Sequence, residues 1–304
     1  DSETQLGITE ADGVNARRIE MFVVTENEVP VHSGRMYAAR GFVYPSTKNQ
    51  RAVMLCDKLE ELTPEEVRTL PREEILRLRA SMQPEGMNAS DALVRLANDL
   101  SSSVTGIYRR TDMHLMYRAC FYSAIDFNFG GENVTRGWIE AMVIGDTRCG
   151  KSAAFKAMAN WLKTGVMVDC KNATKAGLLV AVENSATTGE RYTIPGLLPE
   201  NDRQGPIVFD EYVKHKIGGF NILEELASVR SDGVVTSIKA ASARLNARVR
   251  MMWLANPGEG KMLSHISTPG VVLLRNLVGE PENIARFDAA MAVAQTDVPI
   301  DVLM

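Results

Sequence analysis

One stretch limits what this chain can fold into more than any other: Ala141–Ser152, AMVIGDTRCGKS. An apolar run, Met142-Val143-Ile144, is followed at once by Gly145-x4-Gly150-Lys151-Ser152. That spacing predicts a buried strand, a tight glycine-bounded loop and the first turn of a helix, the arrangement that cradles phosphate groups. The loop residues Gly145, Asp146, Thr147, Arg148, Cys149 and Gly150 offer backbone N–H groups, and the helix N-terminus adds its dipole. Lys151 can reach the outer phosphates, and the Ser152 hydroxyl can hold Mg²⁺. The continuation is amphipathic, with Phe155, Met158, Ala159 and Leu162 on one face. The bland alternative is a glycine turn that only joins two elements. The flanking strand and helix favour nucleotide binding.

A second apolar strand ends in charge: Pro206-Ile207-Val208-Phe209-Asp210-Glu211. Behind a phosphate loop this is the Walker B pattern. Asp210 would sit beside the Mg²⁺ through its water shell, and Glu211 would polarise the attacking water as general base. Taken alone, Asp-Glu is a common solvated strand end. Together the two motifs imply hydrolysis of a nucleoside triphosphate. Between them, residues 172–205 are long for a connection and are expected to carry an insertion.

Gly233–Pro257 contains no Asp or Glu but carries Lys239, Arg244, Arg248 and Arg250. Val234–Ile238 and Val249–Leu254 read as strands, with a small-residue turn between them, and a hairpin with Lys239 near its tip suits a phosphate backbone. The alternative is a charged hairpin of purely structural use. The run ends in Ala255-Asn256-Pro257, where Asn256 is placed to sense a γ-phosphate or position the water.

The remainder sets the frame. Residues 1–16 are polar and aperiodic, read as a poorly ordered lead-in. Residues 17–62 read as a β-rich, OB-like module with Tyr37, Arg40, Phe42, Tyr44 and Lys48 available to nucleic acid; such aromatics are more often core. Residues 63–106 read as a helical linker, with a capping-box start at Thr63-Pro64-Glu65-Glu66, breaks at Pro71 and Pro84, and Leu93, Leu96 and Leu100 on a buried face. Residues 107–304 read as the α/β nucleotide domain: a helix over Leu115–Phe121, a loop at Gly130–Trp138, a strand at Val166–Val168, a helix over Phe220–Arg230, mostly loop from Gly258 to Asn276, and a fifth core strand at Ala289–Val293. The formal net charge of −4 supplies no basic field, so any nucleic-acid contact must be local. The four cysteines include no C-x2-C pair, which argues against a zinc ribbon and a disulfide framework and suits a reducing cytoplasm. No apolar run reaches the ~18 residues of a membrane span.

The order of motifs resembles the minichromosome maintenance (MCM) replicative helicases of the AAA+ superfamily. Arg136-Gly137 precedes the first strand, and Gly145-Asp146 opens the phosphate loop as in that family. Lys175-Ala176-Gly177-Leu178 and Thr188-Gly189-Glu190 resemble the approach to its helix-2 insertion. Asp210-Glu211-Tyr212 stands where the family has Asp-Glu-Phe. Ser237-Ile238-Lys239-Ala240 and Leu245-Asn246-Ala247-Arg248 resemble its pre-sensor-1 hairpin, Ala255-Asn256-Pro257 its sensor 1, and Arg286-Phe287-Asp288 the segment holding a trans-acting arginine.

The resemblance implies an AAA+ core with a five-stranded parallel sheet, a helix-2 insert and a pre-sensor-1 hairpin. It implies ATP and Mg²⁺ as ligands, Lys151, Ser152, Asp210, Glu211 and Asn256 acting in cis, and Arg286 reaching a neighbour's nucleotide. It further implies a ring, most simply a homohexamer, with Lys239 and Arg244 on DNA. Departures are Gly150 where the family usually carries Ala, a shorter hairpin, no zinc ribbon and no lid after the fifth strand. Two other readings are a protein remodeller of the chelatase or MoxR-like type and an ATP-bound, DNA-binding initiator assembly. DNA stimulation of ATP turnover separates the first of these from a helicase motor, and a Glu211→Gln variant that retains function would mark the second.

Overall fold

The computed structural model describes residues 20–23, 36–45, 52–62, 71–184, 191–213, 221–237, 243–258, 262–266 and 271–298. The lead-in 1–16, Lys48, Thr63–Glu66, Thr188–Glu190 and Lys239 lie outside the described residues, so the readings placed on them are not tested by it. The chain divides into two compact units, residues 1–81 and 82–304.

In the first unit β1 (Glu20–Val23), β2 (Met36–Pro45) and β3 (Ala52–Leu62) form a three-stranded sheet in the order β1-β3-β2. β1 runs parallel to β3, and β2 runs antiparallel to it. An OB barrel needs five strands; the described residues supply three. β3 extends through Glu60–Leu62, the end of the expected β-rich module, because Met36–Ala38 pair with those residues. The register slips between Arg40 and Gly41, leaving Asp57 as the extra residue of a bulge. Gly41 is required there: a Cβ would stand 2.0 Å from the Leu55 carbonyl oxygen. Arg40 is spent on Asp57, with Nη2 3.1 Å from Oδ2, while Phe42 is 78% exposed. α1 (Arg72–Met82) follows Pro71.

The second unit begins on the expected linker. α2 (Ala89–Leu100) is capped by Asn88, whose side chain accepts from the Asp91 N–H. Its buried face is Ala92, Ala97 and Leu100; Leu93, expected inside, is exposed. A π-helical turn, Ser101–Thr105, leads to α3 (Thr111–Tyr122). The expected loop at Gly130–Trp138 contains part of a short hairpin, β4 (Phe127–Phe129) with β5 (Glu132–Val134).

Then come β6 (Glu140–Gly145), α4 (Lys151–Leu162) and β7 (Val166–Asp169). The long insertion holds α5 (Lys175–Leu178), the antiparallel pair β8 (Val180–Asn184) and β9 (Arg191–Pro195), and α6 (Leu197–Glu200). β10 (Ile207–Tyr212) follows. The helix expected over Phe220–Arg230 is two turns, α7 (Ile222–Glu225) and α8 (Ala227–Asp232), separated at Leu226, whose backbone (φ −89°, ψ 5°) leaves the helical region. The four predicted inward residues, Ile222, Leu223, Leu226 and Val229, are buried.

β11 (Val234–Ser237) pairs antiparallel with β12 (Ala243–Asn246). The return strand of the hairpin is therefore β12, and the run from Val249 belongs instead to β13 (Met251–Ala255) in the central sheet. The segment expected as loop contains a 3-10 turn, Leu263–His265, and α9 (Val271–Val278). α10 (Pro281–Ile284) and β14 (Ala289–Val293) complete the unit.

The central sheet has the order β14-β6-β13-β10-β7, and every pairing in it is parallel. Parallel strands are covered on both faces, which is why β13 and, after Glu140, β6 read as apolar runs and both are buried along their whole length. On one face α3 and α4 pack Met113, Tyr117, Phe121, Phe155 and Met158 against Val143, Val208 and Met252. On the other, Trp253 stacks on Phe209 with ring centres 4.2 Å apart and meets Phe287 edge-on. Aromatic pairs of this kind add about 0.5–1.5 kcal/mol beyond their buried area.

Candidate nucleotide-binding site

The carboxyl ends of β6, β10 and β13 open at one edge of the sheet, where chain order reverses across β6. That is where open α/β sheets bind ligands. A cleft of about 230 Å³ lies there, lined by residues 147–153, Asp210, Glu211 and Leu254–Asn256.

The loop is shaped as a cradle. Gly145 admits no side chain: a Cβ would stand 2.8 Å from the Val293 carbonyl oxygen and 2.9 Å from Cys149 Sγ. Gly150 has φ +88°, and a Cβ there would meet Ile107 at 3.0 Å. Arg148 also takes a left-handed backbone, φ 66°. These conformations turn successive N–H groups toward one point, the geometry that receives phosphate oxygens. Lys151 is buried: Nζ donates to the Gly145 and Asp146 carbonyls at 2.6 and 2.9 Å and to Asn256 Oδ1 at 3.2 Å. The last contact joins residues 105 positions apart and puts Asn256 beside the phosphate-loop lysine.

Asp146 has a different role from the one expected. It is 2% exposed and lies off the cleft. Its carboxylate accepts from the Leu263 and Gln295 N–H groups, both at 2.8 Å, and its own N–H donates to Val293 O. It fastens the loop to the chain beyond β13 and β14. Gly145 likewise supports the cleft without lining it.

Asp210 and Glu211 reach the cleft through a bulge. Phe209 pairs with Trp253 and Tyr212 with Ala255, so three steps on β10 oppose two on β13. Glu211 takes φ 54°, left-handed for a residue with a side chain. Such strain gathers at working sites. Glu211 forms an ion pair with Lys171, a residue sequence reasoning passed over because nothing in its local pattern sets it apart. Bonding to Glu211 raises the Lys171 pKa.

Several supports of the loop were equally invisible in the sequence. Tyr117 donates its hydroxyl to the Lys151 carbonyl at 2.8 Å, and burial pushes its pKa well up. His114 is fully buried between Arg110 O, 2.7 Å from Nδ1, and Thr105 Oγ1, 2.8 Å from Nε2. Thr105 Oγ1 in turn accepts from the Ile107 N–H at 3.2 Å, which seats Ile107 on Gly150.

Of the remaining candidates, Arg244 is exposed on β12. Arg248 and Arg250 are committed elsewhere: Arg248 forks onto Asp202, with Nε 3.0 Å from Oδ1 and Nη2 2.6 Å from Oδ2. Arg250 donates to the Ser123 and Gln204 carbonyls, both at 2.7 Å. The absence of acidic residues from Gly233–Pro257 therefore overstated the free positive charge, because the three partners of Arg248 and Arg250 come from outside that stretch.

Arg286 does not line the cleft. It precedes Asp288, whose N–H bonds Glu140 O at the start of β6. The phosphate loop follows the other end of that strand, roughly 20 Å away at the rise of an extended chain.

A parallel sheet in this order, with a phosphate loop after its second-from-edge strand and Asn and Asp-Glu at the ends of the next two strands across the sheet, defines a P-loop nucleotide-binding core of the AAA+ type. The MCM P-loop domain model matches residues 88–297, more than half of the chain. The chain belongs to the MCM family. It is 28% identical over 239 residues to a maize protein, DNA replication licensing factor MCM3 homolog 1, covering 76% of this chain and 28% of that one. Drosophila melanogaster DNA replication licensing factor Mcm3 is 30% identical over 154 residues, 50% of this chain and 18% of its own. Indica rice MCM6 is 29% identical over 153 residues, again 50% and 18%. The chain thus spans under a third of the length of these relatives. No described helix is long and apolar enough to cross a membrane.

Proposed function

We propose that this chain is the ATP-hydrolysing motor portion of an MCM-type DNA helicase or translocase. The observation that carries the reading is the convergence on one cleft of Lys151, Asn256, Asp210 and Glu211, with Lys151 Nζ and Asn256 Oδ1 in contact at 3.2 Å. Residues 147–152 hold the triphosphate through backbone N–H groups, and Lys151 neutralises its outer oxygens. Ser152 and Asp210 hold Mg²⁺, which when bound offsets phosphate charge. Glu211 takes a proton from the attacking water, and Asn256 orients that water.

Arg286 serves the nucleotide of a neighbouring protomer, since its own cleft lies at the far end of β6. Every site is then completed between subunits, and the simplest assembly is a homohexameric ring around DNA. The β11–β12 hairpin, which carries Arg244, contacts the DNA backbone, and Lys239, which lies between its two strands in the sequence, supplies a second cation. The licensing-factor names of the relatives support this reading for DNA replication.

The test is ATP turnover with and without single-stranded DNA. Stimulation by DNA that is lost in Lys239→Ala supports the motor. Turnover indifferent to DNA but raised by a protein partner replaces it with a protein remodeller. Loss of turnover in Glu211→Gln with biological function intact replaces it with an ATP-bound initiator.

A further inference from the structure

At the base of the central sheet, a charged cluster is closed off from solvent. Glu140 and Arg230 are both 0% exposed. Arg230 Nε donates to Glu140 Oε1 at 2.5 Å, and Trp253 Nε1 donates to the same oxygen at 2.9 Å. The rest of the Arg230 fork goes to one residue: Nη1 to Asn283 Oδ1 at 3.2 Å and Nη2 to Asn283 O at 3.0 Å. The guanidinium also lies 4.6 Å from the centre of the Phe287 ring. Apolar side chains of equal volume commonly pack as well as such a pair or better, so stability alone does not account for it.

What the pair reaches is Arg286. Asn283 Oδ1, held by Arg230, also accepts from Arg286 Nη1 at 3.2 Å. Arg286 Nη1 further donates to Glu282 O at 3.0 Å, and Nε donates to the hydroxyl of Ser231, the residue after Arg230, at 3.0 Å. Arg136 ties the same parts together from the backbone side, donating to Arg230 O at 2.9 Å and Arg286 O at 3.2 Å. Two guanidiniums sharing one amide oxygen repel each other. Glu140 neutralises the inner one, which lets the outer one stay. Among the described residues none accepts from Arg286 Nη2.

We propose that Arg230, paired with Glu140, is a positioning residue for Arg286, fixing through Asn283 the guanidinium that acts on a neighbouring protomer's nucleotide. This rests on the shared-site reading above. The loop-lining residues hold the triphosphate; Glu140, Arg230 and Asn283 decide where the incoming cation stands.

Subunit mixing tests it. Glu140→Gln/Arg230→Met removes both buried charges together, and Asn283→Ala removes only the shared amide, so the second carries the test if the first does not fold. Each lowers ATP turnover by about a hundredfold, the effect of an ångström-scale misplacement, with affinity for a fluorescent ATP analogue unchanged. Mixed with Lys151→Ala protomers, which bring an intact Arg286, each variant regains turnover through its own intact phosphate loop. Mixed with Arg286→Ala protomers it does not, because both lesions lie on the same side of the interface. Folded variants that keep full turnover, or that Lys151→Ala protomers fail to rescue, overturn the positioning role. If Arg286→Ala itself is not rescued by Lys151→Ala, the shared site falls and takes this inference with it; that control tells the two failures apart.

Discussion

The two ends of β6 are built on opposite principles. At its carboxyl end the site is mostly backbone: a loop with two residues in left-handed conformations, one glycine that admits no Cβ and one at φ +88°, and one lysine among carbonyls. At its amino end the site is side chain on side chain, an ion pair without solvent and an amide shared by two cations. A backbone cradle tolerates change in most of its side chains and is unforgiving about shape. A buried side-chain network is unforgiving about charge balance. Substitutions should therefore separate chemistry from stability differently at the two ends.

The largest effect on chemistry belongs to the cradle. Lys151→Ala is expected to lower ATP turnover by about 10²–10³-fold, the usual loss when one charge-stabilising donor is removed. Stability should change by only about 1 kcal/mol, because the lysine's carbonyl acceptors are lost as single hydrogen bonds. Turnover assays and chemical denaturation of the same preparation check both halves. A large loss of stability would make the two ends alike and break the comparison.

At the other end the order inverts. Arg230→Met leaves Glu140 as a buried carboxylate with only Trp253 as donor, and Glu140→Leu leaves Arg230 without its counter-charge. Each single change is expected to destabilise by about 3–5 kcal/mol, and the double change by much less. A double-mutant cycle in urea measures the coupling. Additive single effects would mean that the two residues do not act as a pair.

The contrast also explains what the sequence disclosed. A backbone cradle needs fixed residue types at fixed spacing, so Gly145, Gly150, Lys151 and Ser152 announce it, and apolar runs place β6, β10 and β13 around it. Glu140, Arg230, Asn283 and Asp288 contact each other across separations of 53 to 148 residues, and no local pattern marks them. The same holds for Asp202, which takes Arg248 out of the set of free basic residues. Short elements were missed for a related reason: the break at Leu226, the β4–β5 hairpin and α9 are set by tertiary packing, and each is too short to show a period.

A smaller effect tests the shape of the cradle. Gly150→Ala places a Cβ on a residue at φ +88°, 3.0 Å from Ile107. The left-handed backbone alone costs about 1–2 kcal/mol. Pairing the change with Ile107→Ala should relieve the contact and leave the backbone cost, so the double variant remains less stable than Ile107→Ala alone. Equal melting points for those two would show that the loop can turn over to an ordinary conformation, and that glycine here serves close approach and not backbone strain.

The finest test uses pH, since the two ends carry buried groups that titrate in opposite senses. Burial pushes Glu140 from its ordinary 4.5 up to about 7, with Arg230 and the Trp253 N–H pulling the other way less strongly. The native state then holds this proton more tightly than the unfolded chain, so the amino end of β6 loses stability as pH rises from about 4.5 to 7. Burial lowers His114 below its ordinary 6.5, against weaker opposition from the Arg110 carbonyl and Asp112. Its Nδ1–H donates to that carbonyl, and Nε2 lies 2.8 Å from Thr105 Oγ1, a hydroxyl that can donate to the neutral ring. Stability from this contact is present above pH 6.5 and is lost as pH falls through the lowered value. Amide hydrogen exchange, corrected for intrinsic pH dependence, should show protection near Ile107 and Gly150 falling on acidification while protection near Glu140 and Asp288 rises. His114→Gln should flatten the first trend alone and Glu140→Gln the second; parallel trends at both ends would mean that β6 transmits one global opening and that its ends are not independent.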